Sequence, residues 1–171
     1  KEPFRQIYSH GIVREETGAK MSKSLGNAVD PIHVIDDFGA DALRFAIVSI
    51  TSEGQDVFAS KEKLEIGRNF ANKIWNITRF VLENEGEWGA LNDTDKKLVE
   101  ESMDVAQHVS EHIEKFRLDL AADLVYHYVW DRFAAEVLEE SKPILKADGA
   151  LADSRRAALF AILTTSLKML H

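Results

Sequence analysis

The chain has 171 residues, 45% of them hydrophobic, so it can form one domain, or one domain and part of a second. The absence of cysteine excludes disulfides, thiolate catalysis and cysteine-ligated zinc, and it suits a reducing cytoplasm. The formal net charge of −8 argues against indiscriminate nucleic-acid binding, so any RNA contact must come from a local cationic patch. No apolar run is long enough to span a membrane, and a first residue of Lys1 rather than Met indicates a piece of a longer chain.

The first fifty residues predict one short strand followed by two helices. The strand is expected over residues 7–14. Asp30 and Pro31 favour a helix start, with aspartate as the N-cap, and Gly39 is typical of a helix end. Apolar residues then recur on one face over residues 40–50, which predicts the second helix.

The segment 51–59 is predicted to be a linker, and almost everything after it follows helical periodicity. Long helices are expected over residues 60–84, 93–116 and 121–141, and from Asp153 or Ser154 to residue 170. Pro143 is expected to lie beyond the third of these helices, and Trp75 and Trp130 are expected in the core. Long amphipathic helices joined by short loops predict a mainly α fold, a helical bundle with a short β and loop segment at the N-terminus.

A basic segment rich in small residues follows the predicted strand. It comprises Lys20, Met21, Ser22, Lys23 and Ser24, with a glycine two residues before it and another two residues after it. The lysines supply point charges, the serines supply hydroxyl donors, and the glycines let the backbone bend. This chemistry favours a mobile loop that grips a polyphosphate; the alternative is an exposed basic loop with no ligand.

A second polar group falls within the helix predicted over residues 60–84. Its members share or flank one helix face: Arg68, Asn69, Asn72, Lys73, Asn76, Arg79 and Phe80. Asparagine is a poor helix former, so three asparagines within eight residues indicate a role other than helix formation. Amides can bond base edges, an aromatic ring can stack on a base, and cations can hold phosphates, which together predict RNA binding. In the alternative interpretation the asparagines bond neighbouring helices and Phe80 is part of the core.

One further pattern is typical of zinc-binding helices. His108 and His112 bracket an H-x-x-E-H sequence, and two histidines four residues apart share a helix face. No third ligand is evident and the surrounding residues are charged, so a solvated helix face is the preferred interpretation. We therefore predict no metal site.

The basic segment, continued by Leu25, Gly26 and Asn27, resembles the KMSKS signature of class I aminoacyl-tRNA synthetases. Residues 30–31 and 38–45 resemble the stretch that follows this signature in the synthetases for valine, isoleucine and leucine. Residues 54–56, 68–76 and 79–82 are similar to the valyl-tRNA synthetases, whereas the isoleucyl enzymes usually carry an Arg-Asn-Thr pattern at the corresponding place. Residues 126–130 and 139–142 also fit the later helices of the family.

The resemblance implies an ATP-dependent, AMP-forming valine–tRNA ligase. Residues 1–52 would be the last part of its catalytic domain and residues 53–171 its anticodon-binding bundle. Lys20 and Lys23 would be catalytic, because they stabilise charge on the departing pyrophosphate, and Ser22 and Ser24 would help bind ATP. The seven residues of the second polar group would contact the anticodon region of tRNA.

The resemblance also implies partners and limits. The full enzyme would use ATP with magnesium, valine and tRNA(Val) in the cytoplasm, as a monomer, without binding DNA or a membrane and without a tightly held cofactor. The chain lacks the His-x-Gly-His signature that class I enzymes also need, so we expect the isolated chain to be inactive. The alternatives are part of an isoleucyl- or leucyl-tRNA synthetase, or a helical scaffold or interaction module without direct base readout.

Overall fold

A computed structural model describes the chain apart from residues 1–2, 5–6, 10, 15–17, 20, 23–29, 52–55 and 59. The chain divides into two compact units. One comprises Lys1–Ala71 and His112–Ala122, and the other comprises Asn72–Glu111 and Asp123–His171. The division expected from the sequence, between residues 52 and 53, stays a prediction.

The described residues are mostly helical, which confirms the predicted fold class. The α-helices are α1 (Pro31–Phe38), α2 (Ala40–Ile50), α3 (Lys61–Glu83), α4 (Asp93–Glu114), α5 (Leu118–His127), α6 (Leu138–Ala147) and α7 (Ala150–Leu170). A π-helical segment, Tyr128–Val137, lies between α5 and α6, and two short strands are β1 (Val13–Arg14) and β2 (Val57–Phe58). No described helix is both long enough and apolar enough to cross a bilayer.

The two strands belong to the first unit and pair in parallel. Val13 lies opposite Val57, and Arg14 lies opposite Phe58. The segment expected to be a linker therefore contains a strand, and the strand expected over residues 7–14 is reduced to its last two residues. The paired positions are more than forty residues apart, and the residues of one strand do not specify which distant segment pairs with it. Local sequence patterns therefore did not predict this pairing.

Helices α1 and α2 begin and end where local capping chemistry predicts. The Asp30 side chain accepts a hydrogen bond from the backbone N–H of Ile32 at 2.9 Å, and Pro31 occupies the first helical position. Gly39 adopts φ +94°, a conformation that glycine reaches without steric cost, and it separates the two helices. Both helices predicted over residues 31–50 are confirmed.

Helix α3 approaches α2 closely because position 67 has no side chain. A Cβ built on Gly67 would lie only 2.5 Å from the carbonyl oxygen of Ala42. Phe70, one turn further along α3, is buried and its ring centroid is 4.8 Å from that of Phe45. These contacts, with buried Ala46, form the core of the first unit.

The core of the second unit draws on every helix that contributes to that unit. Its buried apolar residues are Ile77, Val81, Leu98, Val109, Val125, Val129, Phe133, Val137, Leu145, Leu159, Ile162 and Leu163. A buried polar network lies beside them. The Arg155 Nε donates to Asp95 Oδ1 at 2.6 Å, Arg155 also donates to Ser141 at 3.0 Å, and Asn92 donates to Asp95 at 2.9 Å.

Two helix boundaries predicted in this part of the chain are wrong. Pro143 lies inside α6 rather than beyond a helix end. Its ring removes the hydrogen bond to the carbonyl of Glu139, but both residues are exposed, so water can satisfy that carbonyl. Helix α7 begins at Ala150 instead of after Asp153 or Ser154, because the Asp153 carboxylate pairs with Arg156 and the Ser154 hydroxyl donates to Asp95.

Candidate nucleic-acid and phosphate interface

The basic segment lies mostly outside the described residues. Lys20, Lys23 and Ser24 are not among them, and Ser22 is half-buried. Their assignment to ATP therefore stays a prediction. The structure does describe the backbone on the N-terminal side of this segment, at Gly18.

A small polar cluster holds that backbone. Asp56, directly before β2, accepts the backbone N–H of Ile12 at 3.0 Å and the Nε of Arg14. The Nη1 of Arg14 also donates to the carbonyl of Gly18 at 3.3 Å. The Ile12 N–H and the Arg14 guanidinium hold the pKa of Asp56 below its usual range, so this carboxylate is charged at neutral pH.

The first two members of the polar group on α3 belong to the first unit, and both are exposed. The guanidinium carbon of Arg68 lies 5.5 Å from the centroid of the Phe38 ring, within the range of a cation–π contact. Asn69 is exposed one residue further along. Arg68 therefore presents its charge at the surface while one face of its guanidinium rests on an aromatic ring.

The other members belong to the second unit, and three of them are exposed. Asn72, Asn76 and Arg79 are exposed, and the Nε of Arg79 is 3.6 Å from a carboxylate oxygen of Glu83. Phe80 is half-buried. An exposed pair at this distance is weak, so the Arg79 guanidinium can leave Glu83 for a phosphate at little cost.

Lys73 is less exposed than Arg68 and Arg79, the other cations of the polar group. It is half-buried, and its ammonium lies 5.3 Å from the ring centroid of Trp130 in the π-helical segment. Trp130 is also half-buried and stacks on Tyr126, with the ring centroids 5.6 Å apart and the planes 19° from parallel. The lysine charge is thus oriented by an aromatic stack.

Both tryptophans expected in the core lie nearer the surface: Trp130 is half-buried and Trp75 is exposed. Its side chain is 72% exposed, so the expectation that it lies in the core is wrong. It follows Asn72 by three positions and precedes Arg79 by four, which places it on the exposed face of α3. Helical periodicity could have predicted this exposure. At about 100° per residue, Trp75 lies well away from the buried face of α3 that contains Ile77 and Val81.

The structure also shows where the histidine pattern lies. His108 is exposed on α4, and its Nδ1 is 2.8 Å from the carbonyl oxygen of Asp104. Over the described part of the chain, no three histidine, aspartate or glutamate side chains are grouped so that they could hold a metal ion.

Two family profiles match the chain. The profile of tRNA synthetases class I (I, L, M and V) matches residues 1–60, and that of the anticodon-binding domain of tRNA ligases matches residues 95–171. The chain belongs to the class I tRNA synthetases. The family resemblance seen in the sequence is thereby confirmed, while the polar face of α3 lies between the two matched ranges.

The similar relatives are valine–tRNA ligases. That of Clostridium acetobutylicum is 42% identical over 180 aligned residues, which cover 99% of this chain and 20% of the relative. The chain thus spans about a fifth of the length of the curated relative that it matches.

Solved synthetase structures share the fold. The LeuRS–tRNA–LeuAMS ternary complex of Agrobacterium radiobacter superposes with a TM-score of 0.72 at 21% identity, and covers 99% of this chain and 22% of that one. Mycobacterium tuberculosis methionyl-tRNA synthetase in complex with methionyl-adenylate gives 0.73 at 23% identity, over 94% of this chain and 34% of that one. At these identities the likeness concerns the fold alone.

Proposed function

We propose that this chain is part of a valine–tRNA ligase, in which it binds the anticodon region of tRNA(Val) and supplies the KMSKS loop that acts on ATP. The observation that carries the proposal is the 42% identity to a valine–tRNA ligase along 99% of the chain. The match of residues 95–171 to an anticodon-binding domain supports the RNA-binding role. The exposed amide, indole and guanidinium groups on α3 supply the chemistry that role needs.

Activation of valine would depend on the basic segment. Valine attacks the α-phosphorus of ATP, which is used as its magnesium complex, and pyrophosphate leaves as valyl-adenylate forms. Lys20 and Lys23 stabilise the negative charge that develops on the departing pyrophosphate. Ser22 and Ser24 add hydroxyl contacts to the phosphates. This is electrostatic catalysis by positioned cations, without a covalent step on the protein.

Recognition of tRNA would depend on the second unit's part of α3. The amides of Asn72 and Asn76 can bond the edges of unstacked bases, which is the usual route to sequence-specific reading of RNA. The exposed indole of Trp75 offers a flat stacking surface beside them, and half-buried Phe80 offers a second at lower exposure. Arg79 would contact a phosphate. We therefore add Trp75 to the tRNA-contacting residues that were predicted from the sequence.

The remaining partners follow from the same proposal. The ligase would act in the cytoplasm as a monomer, with valine, ATP and tRNA(Val) as its ligands and no part for DNA or a membrane. A net charge of −8 favours the other candidate, a helical scaffold without direct base readout. The two candidates differ in whether the chain distinguishes one anticodon from another.

A pair of tRNAs that differ only in the anticodon tests the proposal. Binding of the full-length protein to tRNA(Val), and to the same tRNA with a swapped anticodon, is measured by titration at several salt concentrations. We expect tighter binding of the valine anticodon by about tenfold or more, because each mismatched hydrogen-bonding pattern costs about 1–3 kcal/mol. Equal affinities for the two would favour the scaffold and contradict anticodon readout by this chain.

A further inference from the structure

Lys73 on α3 is a half-buried cation, and within the described part of the chain no carboxylate forms an ion pair with it. Arg79, further along the same helix, does form one, with Glu83 at 3.6 Å. The group that accompanies Lys73 is the indole of Trp130, whose ring centroid lies 5.3 Å from the Lys73 Nζ. An aromatic face attracts a cation without cancelling its charge, so the positive charge of Lys73 stays available to an anion from outside the chain.

Trp130 is held in place by a ring stack and by the helical segment that carries it. Its ring stacks on that of Tyr126, with the centroids 5.6 Å apart and the planes 19° from parallel. The segment, Tyr128–Val137, is π-helical, a rare conformation that is frequent at functional sites. Arg132 anchors it to α4 by donating to both carboxylate oxygens of Glu101, at 2.8 and 3.0 Å. The indole therefore offers a fixed face to the lysine.

The position of Lys73 on α3 places its charge beside exposed amides. Asn76 follows Lys73 by three positions, so the two side chains are neighbours on the helix surface. Asn72 shares its face with Asn76, and both asparagines are exposed. Proteins that bind single-stranded RNA combine groups that contact the bases with cations that follow the sugar–phosphate backbone. A cation fixed beside these amides therefore suits a backbone phosphate of unpaired RNA.

We propose that Trp130 is a positioning residue for tRNA binding, and that it holds the Lys73 ammonium where the ammonium meets a backbone phosphate. One side of the ammonium rests on the indole, and the phosphate takes the other side. Trp130 itself does not contact the RNA. The inference rests on the proposed function, and it assigns a part in RNA binding to a tryptophan outside the polar group of α3.

The effect of Trp130 on binding follows from the flexibility of lysine. Ordering a long side chain at an interface costs affinity, and a contact that already orders it in the free protein removes part of that cost. Loss of the ring should therefore weaken the phosphate contact although no charge is removed. An uncharged side chain would then control the salt dependence of tRNA binding. A residue that only stacks on a base, or only supports the fold, would leave that dependence unchanged.

The test measures the affinity of the full-length ligase that contains this chain for tRNA(Val) at several salt concentrations. Lys73→Met should reduce the slope of log affinity against log salt by about 0.7–0.9, the value of one phosphate contact. Trp130→Leu should weaken binding about two- to fivefold, the factor that a cation–π contact supplies, and should flatten the slope in the same direction. The double variant should lose little more than Lys73→Met alone, because both changes act on one contact.

Three further variants provide a rescue and two matched controls. Trp130→Phe keeps an aromatic face and should restore most of the affinity and the slope. Trp88→Leu removes an indole that packs on the Phe160 ring, with the centroids 4.6 Å apart, and should leave the slope unchanged. Lys96→Met removes an ammonium that lies 3.6 Å from a carboxylate oxygen of Asp93, and it should also leave the slope nearly unchanged.

Several outcomes would overturn the proposal. In Trp130→Leu these are unchanged affinity, even with a lowered melting temperature, and weaker binding with an unchanged slope, which would make the indole a stacking surface for a base. An unchanged slope in Lys73→Met would overturn the proposal as well, and this variant serves if Trp130→Leu does not fold. If the unsubstituted ligase failed to prefer the valine anticodon, the proposed function would fail instead, so the two failures are distinguishable.

Discussion

Trp75 exposes most of an indole ring to water on a helix that also carries the buried ring of Phe70. Apolar side chains scattered singly on a surface are ordinary, but a tryptophan three residues from Asn72 and four from Arg79 lies among groups suited to RNA. Tryptophan has only two side-chain torsions, so little conformational entropy is lost when a base stacks on its ring. Its place in a binding surface can therefore be measured separately from any role in the fold.

We expect Trp75→Ala to weaken binding of tRNA(Val) by about 1–3 kcal/mol with little change in salt dependence, since stacking neutralises no phosphate. The free energy of unfolding should change by less than about 0.5 kcal/mol, because the side chain is largely exposed. Titration beside thermal unfolding checks both. Met103→Ala, at a residue 61% exposed on α4, is the matched control and should bind normally. Loss of stability with unchanged binding would instead place Trp75 in the core.

His127 gives the second unit a titratable group near neutral pH. The Asp131 carboxylate, 2.7 Å from Nδ1, raises the pKa of His127 above its ordinary value, and the charge of Asp123 adds to this effect. A raised pKa means that the charged histidine is favoured by folding. Its stabilising contribution is complete below the unfolded pKa of about 6.5 and is lost as the pH rises through the folded pKa.

The difference in unfolding free energy between the unsubstituted protein and His127→Gln should therefore shrink as the pH is raised from about 5 to about 8. Denaturant unfolding at several pH values measures this difference. His108→Gln is a suitable control, because that ring contacts a backbone carbonyl rather than a carboxylate. A difference that stays constant, or grows with pH, would contradict the contribution assigned to His127.

Among the elements, α4, α6 and α7 are joined by polar bonds that apolar periodicity does not reveal. Asp95 and Arg155 have side chains only 1% and 6% exposed, with Nε and Oδ1 2.6 Å apart. Ser141 on α6 accepts a hydrogen bond from the same arginine. The charges are tolerated in the interior because each has a partner, so the loss of one partner would leave the other buried and unpaired.

We expect Asp95→Asn to destabilise the protein by about 3–5 kcal/mol, since an unpaired arginine would remain in the core. Asp93→Asn, on the same helix, is the matched control. Asp93 pairs with Lys96 at the surface, 3.6 Å away, so its loss should cost less than about 1 kcal/mol. Urea unfolding measures the free energy of unfolding of the two variants. Equal losses in the two would show that the buried pair stabilises the protein no more than the surface pair does.

Local chemistry allowed some elements to be predicted and left others hidden. The Asp30 cap, Pro31 and Gly39 specify α1 within a few neighbouring residues, so its bounds could be read from the sequence. The π-helical segment could not, because a change from i→i+4 to i→i+5 hydrogen bonding alters no side chain. The bounds of α7 were misjudged for another reason: Ser154 resembles a cap but donates its hydroxyl to a distant carboxylate.

On the scale of the whole molecule, an acidic chain carries two cationic regions, for which we propose different roles. One is the basic segment at residues 20–24, and the other is the face of α3. The family could be predicted because residues 20–24 and the stretches after them match its motifs in the sequence, whereas the roles assigned to the site residues stay predictions. The Arg14 and Asp56 cluster could not be predicted, because its members lie 42 residues apart and meet only in the folded chain.

This chain alone should not form valyl-adenylate. It lacks the His-x-Gly-His signature and spans about a fifth of the relative that it matches, so two lysines would act without the remainder of a nucleotide site. Valine-dependent ATP–pyrophosphate exchange, measured with the purified chain beside a full-length valine–tRNA ligase, is expected to stay at background. Exchange above background by the purified chain alone would show that the expectation is wrong.

The close passage of α3 over α2 restricts how this protein can change during evolution. Any side chain at position 67 would place its first carbon 2.5 Å from the Ala42 carbonyl oxygen. Because that oxygen belongs to the main chain, no replacement of the Ala42 side chain can relieve the clash. A substitution of Gly67 therefore cannot be compensated by a second substitution at position 42. It would require α3 or α2 to move.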